Sequence, residues 1–473
     1  MQKRTKIVAT IGPASGSPDM LRSLVEAGLN VCRLNFSHGT HEQHAEYIAV
    51  IRALAAERGE PLTVLQDLQG PKIRVQNVAP EGVVLVDGKE VVFTTDPKSS
   101  SVLVDYADLH LCVQPGGRIL MDDGLLEVEV VSVQGREITC RVIHGGTLLP
   151  HKGVNLPGTK LNISSLTDKD RQDLKFGVAQ NVDWVAISFV RSAQDIRELK
   201  QLIRVYEEEL GLPHEPAIRV MAKIEKAEAI ERLDEIIAEV DGIMVARGDL
   251  GVETAFEKVP VLQKQIVSAC LRAAKPVVVA TQMLDSMIRN PRPTRAEISD
   301  IANAVIDHAD ATMLSGETTT GKYPLEAVQA MAGAISATEE SVYDDVSISV
   351  QAADTQEVTM TNVASALAMA TGAKAVLVAS LSGQAARFVS RERPALPIFV
   401  PTTSERVACQ LMLSWAVVPF VVPACETVSE FIDLALTELV KQQKLQKGDE
   451  VVVVAGEPLG ESGMMNLVEI RKV

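Results

Sequence analysis

Short apolar runs alternate with stretches of helical period along much of the chain. The runs predict strands at Lys6–Ile11, Val31–Asn35, Leu62–Asp67, Trp184–Phe189, Ile218–Ile224, Gly242–Ala246, Pro276–Thr281 and Ala311–Leu314. Their Val, Ile and Leu content is that of strands buried on both faces. Between most of them the apolar spacing predicts amphipathic helices, as at Met20–Ala27, His41–Ala56, Ser192–Glu209 and Lys258–Ala273. Eight strands, mostly separated by helices, is the count of a (β/α)8 TIM barrel. A doubly wound open sheet fits the same alternation.

The long stretch between Asp67 and Trp184 breaks this rhythm. It alternates Val, Ile and Leu with polar residues between GK, DDG and QG turns. That pattern predicts a small β-barrel or sandwich, inserted at 71–166 and hinged at GPK and LPGTKLN. After Ser341 a polar link, SVYDDVSISVQAADTQEVTM, precedes a new series. The series holds helices at Thr361–Gly372 and Ser404–Leu413 and strands in AKAVLVAS, LPIFVPT, VVPFVV and DEVVVVAGEP. The expected organisation is a barrel from 1–70 and 167–343, an inserted β-rich domain at 71–166, and a C-terminal α/β sandwich at 344–473.

Composition narrows the function. The chain has 473 residues, and its 46% hydrophobic and 23% charged content is ordinary for a globular protein. Only 3% is aromatic, so the cores must be aliphatic. A net charge of −16 argues against nucleic acid or an anionic membrane as partner, since both reward clustered Lys and Arg. The six Cys are scattered without CxxC spacing, which predicts reduced thiols in a cytoplasmic protein. The start, MQKRTKIVATIGPAS, lacks a signal-peptide core, and no run approaches the ~18–20 apolar residues of a membrane span.

In a (β/α)8 barrel, chemistry sits at the C-terminal strand ends. Here those ends carry Arg33-Leu34-Asn35 with Ser37 and His38, then Asp67, Lys223-Ile224-Glu225, Arg247-Gly248-Asp249, Thr281, and Ser315-Gly316-Glu317. Strands one and four contribute less obviously. Residues i and i+2 of a strand share a face, so Lys223 and Glu225 point together, as do Arg33 and Asn35. Any one such residue is ordinarily a strand-end ion pair. The whole set at one rim predicts a site. Glu225 and Asp249 without His or Cys suit Mg2+ rather than zinc. A lysine beside them, with Arg33 and Arg74, suits a dianionic phosphate. A Schiff-base role for Lys223 is disfavoured, because Glu225 keeps the amine protonated.

At these residues the sequence resembles the pyruvate kinase family. The likeness runs through TKIVATIGPAS, GLNVCRLNFSHGTHEQH, LQDLQGPKIR, HKGVNLPG, MAKIEKAEAI, GIMVARGDLGVE, VVVATQMLDSMI and NPRPTRAEISDIANAVIDHADATMLSGETTTGKYPLEAV. The resemblance implies transfer of phosphate from phosphoenolpyruvate to ADP, giving pyruvate and ATP. It implies that Lys223 stabilises the moving phosphoryl group. Glu225 and Asp249 would hold Mg2+, with Mn2+ able to substitute. Arg33, Gly248, Asp249 and Thr281 would bind phosphoenolpyruvate, and Thr281 would help deliver a proton. Asn35, Ser37, His38, Arg74 and Lys152 would meet the nucleotide, Lys152 from the inserted domain acting as a lid. A homotetramer with a C-terminal regulatory domain is implied as well.

Two positions depart from the family pattern. Potassium-requiring members bind K+ at residues matching Asn35, Ser37, Asp67 and the carbonyl of Leu68, and carry glutamate where this chain has Lys72. A fixed ammonium there is expected to replace K+. The loop that binds a bisphosphate activator in some members reads Ser380-Leu381-Ser382-Gly383 here, without its basic residues. A monophosphorylated effector, such as a sugar phosphate or AMP, is expected at Ser380, Ser382 and Gly383. The competing reading is a Mg2+-dependent barrel aldolase or lyase of 2-oxoacids. It shares the Glu225–Asp249 pair and leaves Lys152 and the third domain unexplained.

Overall fold

A computed structural model describes residues 3–159, 163–344, 355–456 and 465–473. Eight parallel strands close into a barrel: β1 (Lys6–Thr10), β2 (Val31–Asn35), β3 (Thr63–Asp67), β4 (Trp184–Ile187), β5 (Arg219–Ile224), β6 (Gly242–Ala246), β7 (Val277–Ala280) and β8 (Ala311–Leu314). Each pairs with its sequence neighbours, and β1 pairs β8 to complete the ring. The closed ring excludes the open sheet.

Strand parity sorts the residues. Val8, Val31, Leu65, Ala186, Met221, Met244, Val278 and Met313 fill the interior, while Ile7, Cys32, Val64, Val185, Val220, Ile243 and Val277 face the helices. The same parity puts Lys6 and Thr10, Thr63 and Asp67, Trp184 and Ser188, and Arg219 and Lys223 on interior-facing positions at opposite ends of the barrel. The middle is aliphatic and both mouths are polar.

Three strands stop earlier than the sequence pattern predicts, β1 by one residue at Thr10 and two others where the backbone turns. β4 ends at Ile187 and Phe189 has φ 55°; β7 ends at Ala280 and Thr281 has φ 72°. A left-handed residue cannot extend a strand, so the chain turns there and Thr281 lies in the loop. Asp249 likewise stands in the short helix Arg247–Glu253 and not on a strand. Helices follow from local signals: Thr40 caps His41–Arg58, Gly59 closes it at φ 63°, and Thr294 makes a capping box with Glu297.

The inserted stretch folds into a seven-stranded sheet beside a two-stranded ladder, around its own core of Val75, Phe93, Ile119, Val128 and Ile138. Of the predicted hinge LPGTKLN, residues 160–162 lie outside the described residues.

The C-terminal part forms a five-stranded sheet in the order β11 (Val417–Val421), β10 (Ile398–Thr402), β9 (Ala375–Val378), β12 (Glu450–Ala455), β13 (Leu467–Lys472). Only β13, absent from the sequence reading, runs antiparallel. Its helix Gln356–Thr371 starts within the stretch read as a polar link. Val358, Thr361, Ala364 and Ala368 recur at helical spacing and are buried, which overrides the surrounding polarity. Residues 345–354 of that link, and the final Glu457-Pro458 of the strand predicted in DEVVVVAGEP, lie outside the described residues.

This domain covers the N-terminal mouth of the barrel. Lys6 Nζ donates to the Val417 carbonyl at 2.6 Å, and Trp184 Nε1 to the Gln410 carbonyl at 3.2 Å. Leu413 enters the barrel interior, fully buried with Val8, Leu65 and Met313.

Candidate active site

The C-terminal mouth gathers most of the residues singled out in the sequence. Lys223 stands at the centre. Its Nζ lies 2.9 Å from Glu225 Oε1 and 3.3 Å from Asp67 Oδ1, and donates to Ser188 Oγ at 2.8 Å. Burial works against the ammonium, but Asp67 and Glu225 outweigh it and hold the amine above its ordinary range. A protonated lysine fits charge stabilisation and not imine formation.

Arg33 donates from Nε to Asp67 Oδ2 at 2.7 Å and from Nη1 to Thr10 Oγ1 at 2.7 Å. Asp67 is thus shared by two cations. Burial would raise its carboxyl, yet Lys223 and Arg33 together bring it below the usual range. Glu225 is 1% exposed and accepts from the Phe189 amide at 2.7 Å. Burial and the nearby Asp249 charge push its carboxyl up, while Lys223 pulls it down. Two carboxylates that repel each other, Glu225 buried and Asp249 partly exposed, offer oxygen donors that fit a hard divalent cation.

Thr281 is held from two sides. Its Oγ1 accepts the Gly248 N–H at 2.8 Å, and its carbonyl accepts Arg247 Nη2 at 2.7 Å. Arg247 also pairs with Asp300 at 2.8 Å. These bonds fix a β-branched residue at positive φ, a conformation that ordinarily costs about 1–3 kcal/mol. In this arrangement the Gly248 amide serves Thr281.

The nucleotide candidates lie around this centre without converging on it. Asn35 Oδ1 accepts the Ser37 amide at 3.1 Å, and His38 is exposed beside them. Arg74 belongs to the inserted domain, where its amide bonds Asp105 and it bridges Gly153. Lys152 Nζ pairs with Asp122 at 2.6 Å. Lys72 Nζ stands 3.9 Å from Asp249 Oδ1. Leu68 is buried, and its carbonyl accepts Ser188 Oγ at 2.6 Å.

Ser380, Ser382 and Gly383 are far down the chain, and Ser382 meets the other mouth. The Ser382 carbonyl faces Arg219 Nη2 at 3.5 Å. Gly383 has φ 75° and precedes the helix Gln384–Arg391; a Cβ there would meet Leu411 at 2.8 Å.

Thr10 and Ser188 are not among the residues singled out in the sequence, whereas Glu317 is, at the end of strand eight. Thr10 and Ser188 are the hydroxyls through which strands one and four join the site. Glu317 is 2% exposed and accepts the amides of Leu284 and Ser315, bracing the loop after β7. Strand parity would have found the hydroxyls, since each continues the interior-facing positions of its strand.

Comparison with known proteins agrees with this geometry. Residues 2–328 match the family described as pyruvate kinase, barrel domain, and residues 358–471 match pyruvate kinase, alpha/beta domain. A protein named pyruvate kinase from Geobacillus stearothermophilus is 42% identical over 100% of this chain and 81% of its own. One of the same name from Agrobacterium vitis is 43% identical over 99% of this chain and 98% of its own. Pyruvate kinase 2 of Synechocystis is 43% identical over 100% of this chain and 80% of its own. Among the described residues no helix is long and apolar enough to cross a membrane. A barrel mouth built around a charged lysine and paired carboxylates, matched from end to end by these relatives, means that the chain belongs to the pyruvate kinase family.

Proposed function

We propose that the chain moves the phosphoryl group of phosphoenolpyruvate to ADP, giving pyruvate and ATP, at the C-terminal mouth of the barrel. The observation that carries this reading is Lys223, kept charged at 2.9 Å from Glu225 and 3.3 Å from Asp67. Phosphoryl transfer needs little covalent help and much positioned positive charge.

In the proposed reaction the bond from phosphorus to the enol oxygen breaks and its electron pair stays on that oxygen. A terminal oxygen of ADP forms the new bond to phosphorus. Lys223 and Arg33 face the charge that builds on the transferring group. The enolate then takes a proton at carbon. Thr281 is suited to that end: its hydroxyl oxygen already accepts from Gly248, which leaves the O–H to donate. Glu225 and Asp249 would hold Mg2+ or Mn2+, which supplies charge neutralisation when bound. Arg74 and Lys152, with Asn35, Ser37 and His38, take the nucleotide; Lys152 leaves Asp122 to do so.

Three further readings belong to the proposal. Lys72 substitutes for K+ beside Asn35, Ser37, Asp67 and Leu68. The loop Ser380–Gly383 receives a monophosphorylated effector. The protein works as a cytoplasmic homotetramer divided at 70/71, 166/167 and 343/344, with light scattering the measure of assembly and limited proteolysis of the divisions.

The central test is pyruvate formation that requires both phosphoenolpyruvate and ADP. Lys223→Met should retain affinity for both while turnover falls about 10²–10³-fold, as when one stabilising donor is removed. A loss below about tenfold, 1.4 kcal/mol of barrier, would refute the assigned role.

A further inference from the structure

Glu253 is buried, 8% exposed, at the end of the helix that carries Gly248 and Asp249. Its Oε1 accepts from two directions. Lys226 Nζ lies 2.6 Å away, and Asn155 Nδ2 donates at 3.0 Å. Lys226 directly follows Glu225. Asn155 lies in the inserted domain, on the short strand just after Lys152, paired with the strand that precedes Asp122.

One carboxylate oxygen therefore ties three segments: the end of β5 with Glu225, the helix with Asp249, and the inserted domain with Lys152. Lys226 also sits over the Phe189 ring at 5.6 Å, and the Phe189 amide bonds Glu225. A cavity of about 200 Å3 opens at this junction, lined by Ile73, Val154, Phe189, Lys226 and Glu253. The cavity thins the packing beside these polar ties, which raises their share in setting one segment against another.

We propose that Glu253 is a positioning residue with two arms. Through Lys226 it fixes the spacing of Glu225 and Asp249 before a divalent ion arrives. Through Asn155 it sets the inserted domain over the site. The inference rests on the proposed metal role of Glu225 and Asp249. Pre-set ligands lose less freedom on binding, and residues that orient metal ligands ordinarily change affinity about 10–100-fold when altered.

The test is Mn2+ binding to the whole protein without substrates, read by electron paramagnetic resonance of the free ion. Glu253→Gln keeps an oxygen for Asn155 and removes the charge that Lys226 needs. The double variant E253Q/K226M leaves no unpaired buried charge, and its thermal midpoint reports folding. Lys226→Gln, at a partly exposed position, reads the same tie from its other end. All three should bind Mn2+ about tenfold more weakly. Asn155→Ala should leave Mn2+ affinity within about twofold and raise the KM for ADP severalfold with a smaller change in kcat. Mn2+ affinity within about twofold of the parent in the E253Q and K226Q variants overturns the proposal. Glu225→Gln is the control: if it too binds Mn2+ normally, the metal reading falls, and the clamp with it.

Discussion

Lys72 and Asp249 frame an electrostatic choice. The ammonium stands 3.9 Å from the carboxylate, each under one-third exposed. A monovalent cation entering the same neighbourhood would meet a fixed like charge, worth about 4 kcal/mol of repulsion at 4 Å in a protein-edge dielectric. Turnover should therefore be equal within about twofold in potassium and in tetramethylammonium buffers of matched ionic strength. A large loss without potassium would remove Lys72 from that role. Single residues also mark the limit of what the sequence discloses. Lys223 and Glu225 announce themselves, because charges ending an apolar strand are costly without a partner. Thr10 and Ser188 are quieter: a hydroxyl at a strand end is ordinary, and only its interior-facing parity sets it apart. Glu253 is one acid among many on a helix, and only its burial between Lys226 and Asn155 sets it apart.

Strands act as levers with two working ends. β5 carries Lys223 at one mouth and Arg219 at the other; Arg219 pairs with Asp241 at 2.9 Å and faces the Ser382 carbonyl. β1 likewise carries Thr10 and Lys6. Lys6 is 4% exposed, and burial lowers its pKa from 10.5 to about 8 against the opposing pull of Glu339 and Asp310. A folded-state pKa below the unfolded one means the fold disfavours the charge. That penalty is complete below pH 8 and vanishes as pH rises from 8 to 10.5. The shift is worth roughly 3 kcal/mol, and losing the Val417 hydrogen bond returns about 1 kcal/mol. Lys6→Met should thus gain about 2 kcal/mol on the parent at pH 7. The gain should shrink or reverse by pH 10.5, followed by thermal midpoints across the range. A constant difference would show that burial does not govern this amine. The eight barrel strands were legible to within a residue or two, because buried parallel strands read as unbroken apolar runs. Their ends were less so: Phe189 and Thr281 continue the apolar pattern while their backbones turn into left-handed conformations fixed by tertiary hydrogen bonds.

At the scale of the molecule, the two barrel mouths divide the labour. One gathers Lys223, Arg33 and the buried carboxylates Asp67 and Glu225; the other rests on the C-terminal sheet through Lys6, Trp184 and Arg219. Among the described residues, the Ser380–Gly383 loop meets the barrel at that second mouth, through Ser382. An effector bound there would act on β5 from the end opposite Lys223. Fructose 1,6-bisphosphate, with two phosphates to satisfy, should bind the full-length protein weakly in calorimetric titration, whereas a sugar monophosphate or AMP should shift the phosphoenolpyruvate saturation curve. Tight bisphosphate binding would refute the assignment. This pairing of surfaces was not legible in the sequence. Arg219, Gln410 and Ser382 are distant along the chain, and nothing in their local pattern announces that they meet.

Leu413 has a consequence in time. The ribosome releases the barrel strands before it makes the side chain that stops their lower mouth. At about 5–20 residues per second, several seconds separate β8 from Leu413. During that interval the interior around Val8, Leu65 and Met313 lacks its last apolar neighbour. The barrel is thus made with an open floor, which the final domain arrives later to close.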